Sequence, residues 1–241
     1  LRKWRCTWTK KADDKSNEIT AIPALLDLLD IIGCIVTIDA MGCQEKIAEK
    51  IVSKEADYVL AVKDNQKQLH EEIIDFFETS RRFEFKNVRY DYFEEAHKGH
   101  GRVELRRYWI SDMLDTISNP GRWASLQGIG MVESEQYIDG KTTSETRYFI
   151  VSIAPNAKVF ANAVRKHWAI ENQLHWVLDV SFREDDSRVR CDNASENFGV
   201  FRHVAINALR NEKSCKKGVK AKRYKATLQP DYAQKVLNGI F

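Results

Sequence analysis

The chain has 241 residues, 43% hydrophobic and 30% charged, with 38 basic against 35 acidic side chains for a formal net charge of +3. That length buries a substantial core without disulfide staples, which excludes a mini-protein, and no run approaches the roughly 20 apolar residues that span a bilayer. Residues 1–12 carry Arg2, Lys3, Arg5, Lys10 and Lys11 without the apolar stretch of a signal peptide, so the expectation is an intracellular, cytoplasmic protein.

From Ser16 the pattern alternates between helix and strand. Ile19, Ile22, Leu26 and Leu29 repeat at helical spacing, with Pro23 placed in the first turn and Gly33 as the stop. Ile35-Val36-Thr37-Ile38 is short, apolar and β-branched, as a buried strand is, and it ends in Asp39. A helix over 44–53, with Ile47 and Ile51 on one side, leads to a second buried strand over 58–62. This strand, helix, strand unit has room for parallel pairing. Leu69, Ile73, Phe76 and Phe77 mark the apolar stripe of a third helix.

Between about 82 and 154 the character changes. Residues 103–110 and 146–153 read as strands, separated by turn material at Gly99, Gly101, Pro120-Gly121 and Asp139-Gly140, so a β-rich insertion is expected. Helical spacing returns at Ala157 and persists to about Leu209, interrupted between Phe182 and Asn193. Beyond it, Lys213, Lys216, Lys217, Lys220, Lys222, Arg223 and Lys225 follow one another with no acid among them. Such a run is either a phosphate-binding surface or a solvated tail. The five cysteines, Cys6, Cys34, Cys43, Cys191 and Cys215, are odd in number and never spaced Cys-x-x-Cys. They are expected to be free thiols, mostly buried.

Two carboxylates stand out. Asp39 closes a buried strand, where open α/β sheets bind ligands; the competing reading is a cap on the turn that follows. On a helix over 157–179, Val164, Trp168, Glu171, His175 and Leu178 share one face, which puts Glu171 in an apolar stripe. An ionised carboxylate there needs a cation, a metal or several donors, unless it simply pairs with His175 at i, i+4. Glu171, His175 and Asp179 span about 12 Å of helix axis, too far for one ion to meet all three.

Several longer motifs then coincide. They are Lys15-Ser16-Asn17-Glu18-Ile19-Thr20-Ala21-Ile22-Pro23, Val36-Thr37-Ile38-Asp39-Ala40-Met41-Gly42-Cys43-Gln44, Asp57-Tyr58-Val59-Leu60-Ala61-Val62-Lys63, Lys98-Gly99-His100-Gly101-Arg102-Val103-Glu104, and the run from His167-Trp168-Ala169-Ile170-Glu171-Asn172-Gln173-Leu174-His175 to Val180. In this order they resemble the H-repeat-associated proteins, insertion-sequence transposases with an Asp-Asp-Glu active site on an RNase H-like fold. The match covers nearly everything from Asp13 to about Tyr232.

The resemblance implies that Asp39 is the second catalytic aspartate and Glu171 the glutamate, both ligands of Mg²⁺ or Mn²⁺. It implies a layout of an atypical basic segment at 1–12, a first catalytic part at 13–81, the β-rich insertion at 82–154, a second catalytic part at 155–210 and a basic segment at 211–241. The implied partner is double-stranded DNA, as transposon ends and target; from the basic run, Lys216, Lys217, Lys220, Lys222 and Arg223 are expected to meet its phosphates, and an unpaired strand edge is expected to favour self-association.

Two departures follow. The family's first aspartate sits in an Asp-Gly-Lys strand upstream of the segment that begins here at Asp13, and Asp139-Gly140-Lys141, which imitates it, reads as a hairpin turn. Where the wider group has Tyr, Arg and Lys flanking the glutamate, this sequence has Val164, His167 and Leu178. The expected fold is therefore an α/β, RNase H-like sheet lacking its first strands. It would hold only the strands near Ile35 and Tyr58, with one side of the strand ending in Asp39 unpaired. The implied function is a transposase-like protein, inactive or impaired as this chain, or alternatively a non-catalytic DNA-binding remnant.

Overall fold

The computed structural model describes residues 18–99, 102–138, 140–170, 174–189 and 191–239. They divide into two compact units, one within Ala12–His167 and one within Trp168–Phe241. The class is mixed α/β, as expected.

The first unit begins with helix α1 (Glu18–Leu28), strand β1 (Ile35–Ile38), helix α2 (Glu45–Ser53), strand β2 (Asp57–Val62) and helix α3 (Lys67–Arg82). It continues with strands β3 (Asp91–Gly99), β4 (Arg102–Ser111), β5 (Gly128–Ile138) and β6 (Lys141–Val151), then enters helix α4 (Ala157–Ile170). All six strands form one sheet in the order β1-β2-β6-β5-β4-β3. β1 and β2 are parallel, with Thr37 beside Val59, and every other pairing is antiparallel.

Period-two alternation sorts the sheet into two faces. Tyr58, Leu60 and Val62 of β2, Ile150 of β6, Ile129 and Met131 of β5 and Trp109 of β4 pack with Ile47, Ile51, Ile73 and Phe77 of α2 and α3 in one buried cluster. Their sequence neighbours point the other way. There Phe160 of α4 sets its ring edge-on to Tyr108 of β4 and Phe149 of β6. Gly130 is glycine because of that ring: a Cβ would stand 2.6 Å from Phe160 Cζ. Helix ends are tied as well. Lys54 Nζ donates to the carbonyls of Leu26 and Leu29, at 2.5 and 2.7 Å, closing the C-terminus of α1.

Several expectations change. The β-rich stretch joins the sheet of the first part, because β6 pairs with β2 along Val59↔Val151 to Val62↔Tyr148. The sheet thus has six strands where two were expected, since β2 needed a hydrogen-bonding neighbour on each edge. Strands β3 and β5 escaped notice because acidic side chains interrupt the apolar pattern of β3, and Gly128, Gly130, Glu133 and Glu135 interrupt that of β5. Arg107 of β4 meets Glu94 at 3.1 Å and Glu135 at 2.7 Å, so these charges are satisfied across the sheet. Pro23 is the sixth residue of α1 rather than in its first turn. Gly33 does not stop that helix; it takes φ +66° in the turn that leads into β1.

Among the described residues β1 is an edge strand, as anticipated. Ile138 pairs with Lys141, so a two-residue hairpin joins β5 to β6 with Gly140 at φ +79°; Asp139 lies outside the described residues. Of the described thiols only Cys43 is buried, while Cys34 and Cys191 are exposed. No described helix is long and apolar enough to cross a membrane.

The second unit contains α5 (Trp176–Phe182), α6 (Ala194–Asn211), α7 (Val219–Leu228) and α8 (Pro230–Leu237). The continuous helix expected over 157–179 is described as α4 and α5, with 171–173 outside the described residues. Val177, Leu178 and Ile206 form one small core, and Ala208, Leu209, Tyr232 and Val236 another. The basic run is not a tail, for much of it is α7. Lys222 is only 7% exposed, and its Nζ donates to the carbonyls of Leu209 at 2.9 Å and Glu212 at 2.5 Å.

Candidate active site

Asp39 follows β1 directly, in extended backbone at φ −64° and ψ 167°, and the chain then makes one 3₁₀ turn over Ala40–Gly42. Its carboxylate makes no capping bond to that turn, so the capping reading fails. The side chain is 74% exposed. The turn itself is held firmly. Gly42 N–H returns to the Asp39 carbonyl at 2.9 Å, Asn65 Nδ2 donates to the Ala40 carbonyl at 2.6 Å, and Gln66 Nε2 donates to the Cys43 carbonyl at 3.0 Å. A Cβ at Gly42 would collide with Ile38 Cγ2 and stand 3.0 Å from Ile22 Cδ1, so only glycine lets the turn press onto the layer beneath. Cys43, buried under it, is a thiol that burial pushes up to about 12.

One side chain comes to Asp39 from elsewhere in the unit. His167, near the end of α4, places Nε2 3.0 Å from Asp39 Oδ1 and Nδ1 3.1 Å from Thr37 Oγ1. Thr37 and Asp39 are two residues apart along an extended chain and therefore face the same side of the sheet, the side α4 covers. That spacing was visible in the sequence. So was the α4 stripe of Ala157, Phe160, Val164 and His167, which runs at steps of three, four and three. What the sequence could not supply was that this helix lies over this strand. Asn65 was missed for the same reason.

Glu171, the other expected carboxylate, lies outside the described residues. Among the described residues no three His, Cys, Asp or Glu side chains converge in a way that would hold a metal. Asp39 by itself has the donor chemistry of a hard divalent cation's ligand: an exposed carboxylate at the mouth of a sheet. The basic candidates divide. Lys216, Lys217 and Lys220 are exposed, whereas Lys222 is buried as described. The Arg223 guanidinium donates to the Ser181 carbonyl and sits 4.8 Å over the Phe182 ring. Lys222 is therefore withdrawn from any surface by its own hydrogen bonds.

The family model described as a transposase DDE domain matches residues 7–208. The chain is 42% identical over 234 residues to "Putative protein YbfL" of Escherichia coli K12 and, over the same length, to the "H repeat-associated putative transposase YhhI" of that strain. It is 43% identical over 231 residues to "Putative transposase YncI" of Escherichia coli O157:H7. These alignments take in 94–95% of the chain but only 58–61% of each relative, so the chain spans about three fifths of their length. No solved structure matches the chain.

Proposed function

Because the chain belongs to the transposase DDE domain family, whose domain is RNase H-like, we propose that it carries part of a metal-dependent site for DNA nicking and strand transfer. Asp39 and Glu171 are its ligands for Mg²⁺ or Mn²⁺. The observation that carries this reading is the uncapped, exposed carboxylate of Asp39 at the end of β1, on a turn fixed by Asn65, Gln66 and the close packing of Gly42. A divalent cation bound there would polarise the phosphodiester and lower the pKa of an attacking water or 3′-hydroxyl. The chain's own part is to hold the carboxylate at the mouth of the sheet. Lys216, Lys217 and Lys220, with Arg223 beside them, bind the phosphates of double-stranded DNA, which gives affinity rather than sequence choice.

A second reading is a DNA-binding protein that does not cut; the exposed Lys216, Lys217 and Lys220 favour it, since phosphate contact by lysines needs no metal. One assay separates the two: nicking of supercoiled DNA by the chain with Mg²⁺ or Mn²⁺, run beside salt-dependent DNA binding. Under the first reading Asp39→Asn and Glu171→Gln each lower nicking on the order of a thousandfold, since a metal ligand supports several kcal/mol of charge stabilisation. Binding without nicking in the unaltered chain selects the second reading, and absence of both sinks the two together.

A further inference from the structure

We infer that His167 is a positioning residue for Asp39, holding its carboxylate in one orientation for a divalent cation. The inference rests on the reading of Asp39 as a metal ligand and deepens it. Four observations carry it. First, both imidazole nitrogens meet one strand, Nδ1 at Thr37 Oγ1 and Nε2 at Asp39 Oδ1, at 3.1 and 3.0 Å. Second, the ring is held at a constant place above that strand because α4 is fixed to the sheet. Phe160 is buried over Gly130, Ala157 N–H donates to Asp91 Oδ2 at 2.7 Å, and Arg165 Nη1 donates to Glu95 Oε1 at 2.8 Å. Third, His167 continues the inner stripe of the buried Ala157, Phe160 and Val164, which explains why it is 26% exposed while the carboxylate it meets is 74% exposed. Fourth, Asp39 has no bond to its own turn, so the imidazole supplies the orientation that a cap would otherwise give.

The chemistry assigns the protons. A carboxylate only accepts, so Nε2 carries the hydrogen; the neutral ring then accepts at Nδ1 from the Thr37 hydroxyl. The Asp39 carboxylate thus fixes the tautomer, the Thr37 hydroxyl completes the ring's bonding, and His167 directs one carboxylate oxygen while the other remains for a cation. Partners of this kind, one step removed from a metal, typically alter its affinity by about 10- to 100-fold.

The test uses the whole chain with Mn²⁺ as the probe, free ion being counted by electron paramagnetic resonance. His167→Ala and His167→Asn are expected to weaken Mn²⁺ binding by about 10- to 100-fold, while His167→Gln, whose amide nitrogen reaches the Nε2 position, recovers it to within about threefold. A merely structural histidine would not separate Gln from Asn, and equal unfolding midpoints for the two exclude a folding defect. In parallel, the ring ¹⁵N resonances of His167 in the metal-free chain, at about pH 8, should show the Nε2–H tautomer. Thr37→Val and Asp39→Asn should each shift them. Mn²⁺ affinity untouched by His167→Ala, equal affinities for the Gln and Asn variants, or an Nδ1–H ring overturns the inference. If Asp39→Asn leaves Mn²⁺ binding unchanged, the metal-ligand reading of Asp39 falls instead. The ring resonances, which need no metal, then decide the His167–Asp39 bond: a shift in Asp39→Asn sustains it and no shift overturns it.

Discussion

The two units bury different chemistry at their centres. Within Ala12–His167 the middle of the sheet is apolar on both faces, Leu60, Ile129 and Ile150 toward the α2 and α3 layer and Phe149 and Val151 on the other side. Within Trp168–Phe241 the end of α6 is joined to α7 and α8 by charge. Glu212, Lys222 and Tyr232 are all buried; Tyr232 Oη donates to Glu212 Oε2 at 2.6 Å, and Ser214 N–H donates to Glu212 Oε1 at 2.6 Å. A six-stranded sheet offers enough apolar surface to fix its layers by burial alone. Helices of 7 to 18 residues with small cores do not, and directional bonds to a buried carboxylate and ammonium fix their angles instead.

If that contrast is right, the two units respond to different injuries. The largest effect belongs to the sheet. Phe160→Ala should cost about 3–5 kcal/mol and Gly130→Ala about 1–3 kcal/mol by urea unfolding, the first by leaving a cavity and the second by overpacking the same ring. Near-neutral values would mean α4 is not seated as described.

Next, Glu212→Ala should destabilise the helical unit by about 3 kcal/mol, because it strands the Lys222 ammonium. Amide exchange should quicken over residues 194–237 and stay slow over 57–62. Equal quickening in both segments would break the comparison, since the units would then open together.

Acid should discriminate in the same direction. Hydrogen bonds from Ser214, then Tyr232, hold the Glu212 carboxyl at about 2, below its ordinary 4.5. A depressed folded-state value adds stability that is complete above the unfolded value and disappears as pH falls through the folded one. The helical unit should therefore loosen between about pH 5 and pH 2, and Glu212→Gln should flatten that dependence when followed by amide exchange over 194–237.

The smallest effect concerns DNA. Replacing Lys216, Lys217 and Lys220 by Ala should lower the slope of log affinity against log salt by up to about 0.9 for each phosphate no longer neutralised by a lysine. Lys222→Met should leave the slope alone while costing about 2 kcal/mol of stability, as the Leu209 and Glu212 carbonyls are left without their donor. A slope change with Lys222→Met would return that lysine to the DNA surface.

Much of this molecule was legible before its fold was known. The strand over 35–38, the helices near 45–53 and 67–82, the parallel partner at 58–62 and Asp39 at a strand end all follow from apolar periodicity, which local sterics and burial write directly into residue order. Strands β3 and β5 did not show, because Glu94, Glu133 and Glu135 meet Arg107 only after the strands pair. Lys222 looked like one more surface lysine in a basic run, and nothing local says that its ammonium meets two carbonyls.

The sequence by itself determined the element types, the family motifs and the carboxylate at the end of β1, since each depends on residues near one another along the chain. Tertiary structure alone decided that β6 joins β2, that α4 lies over β1, and hence that His167 reaches Thr37 and Asp39. Those outcomes depend on which surfaces bury each other across 86 to 130 residues of chain, and side-chain spacing along one segment carries no information about that choice.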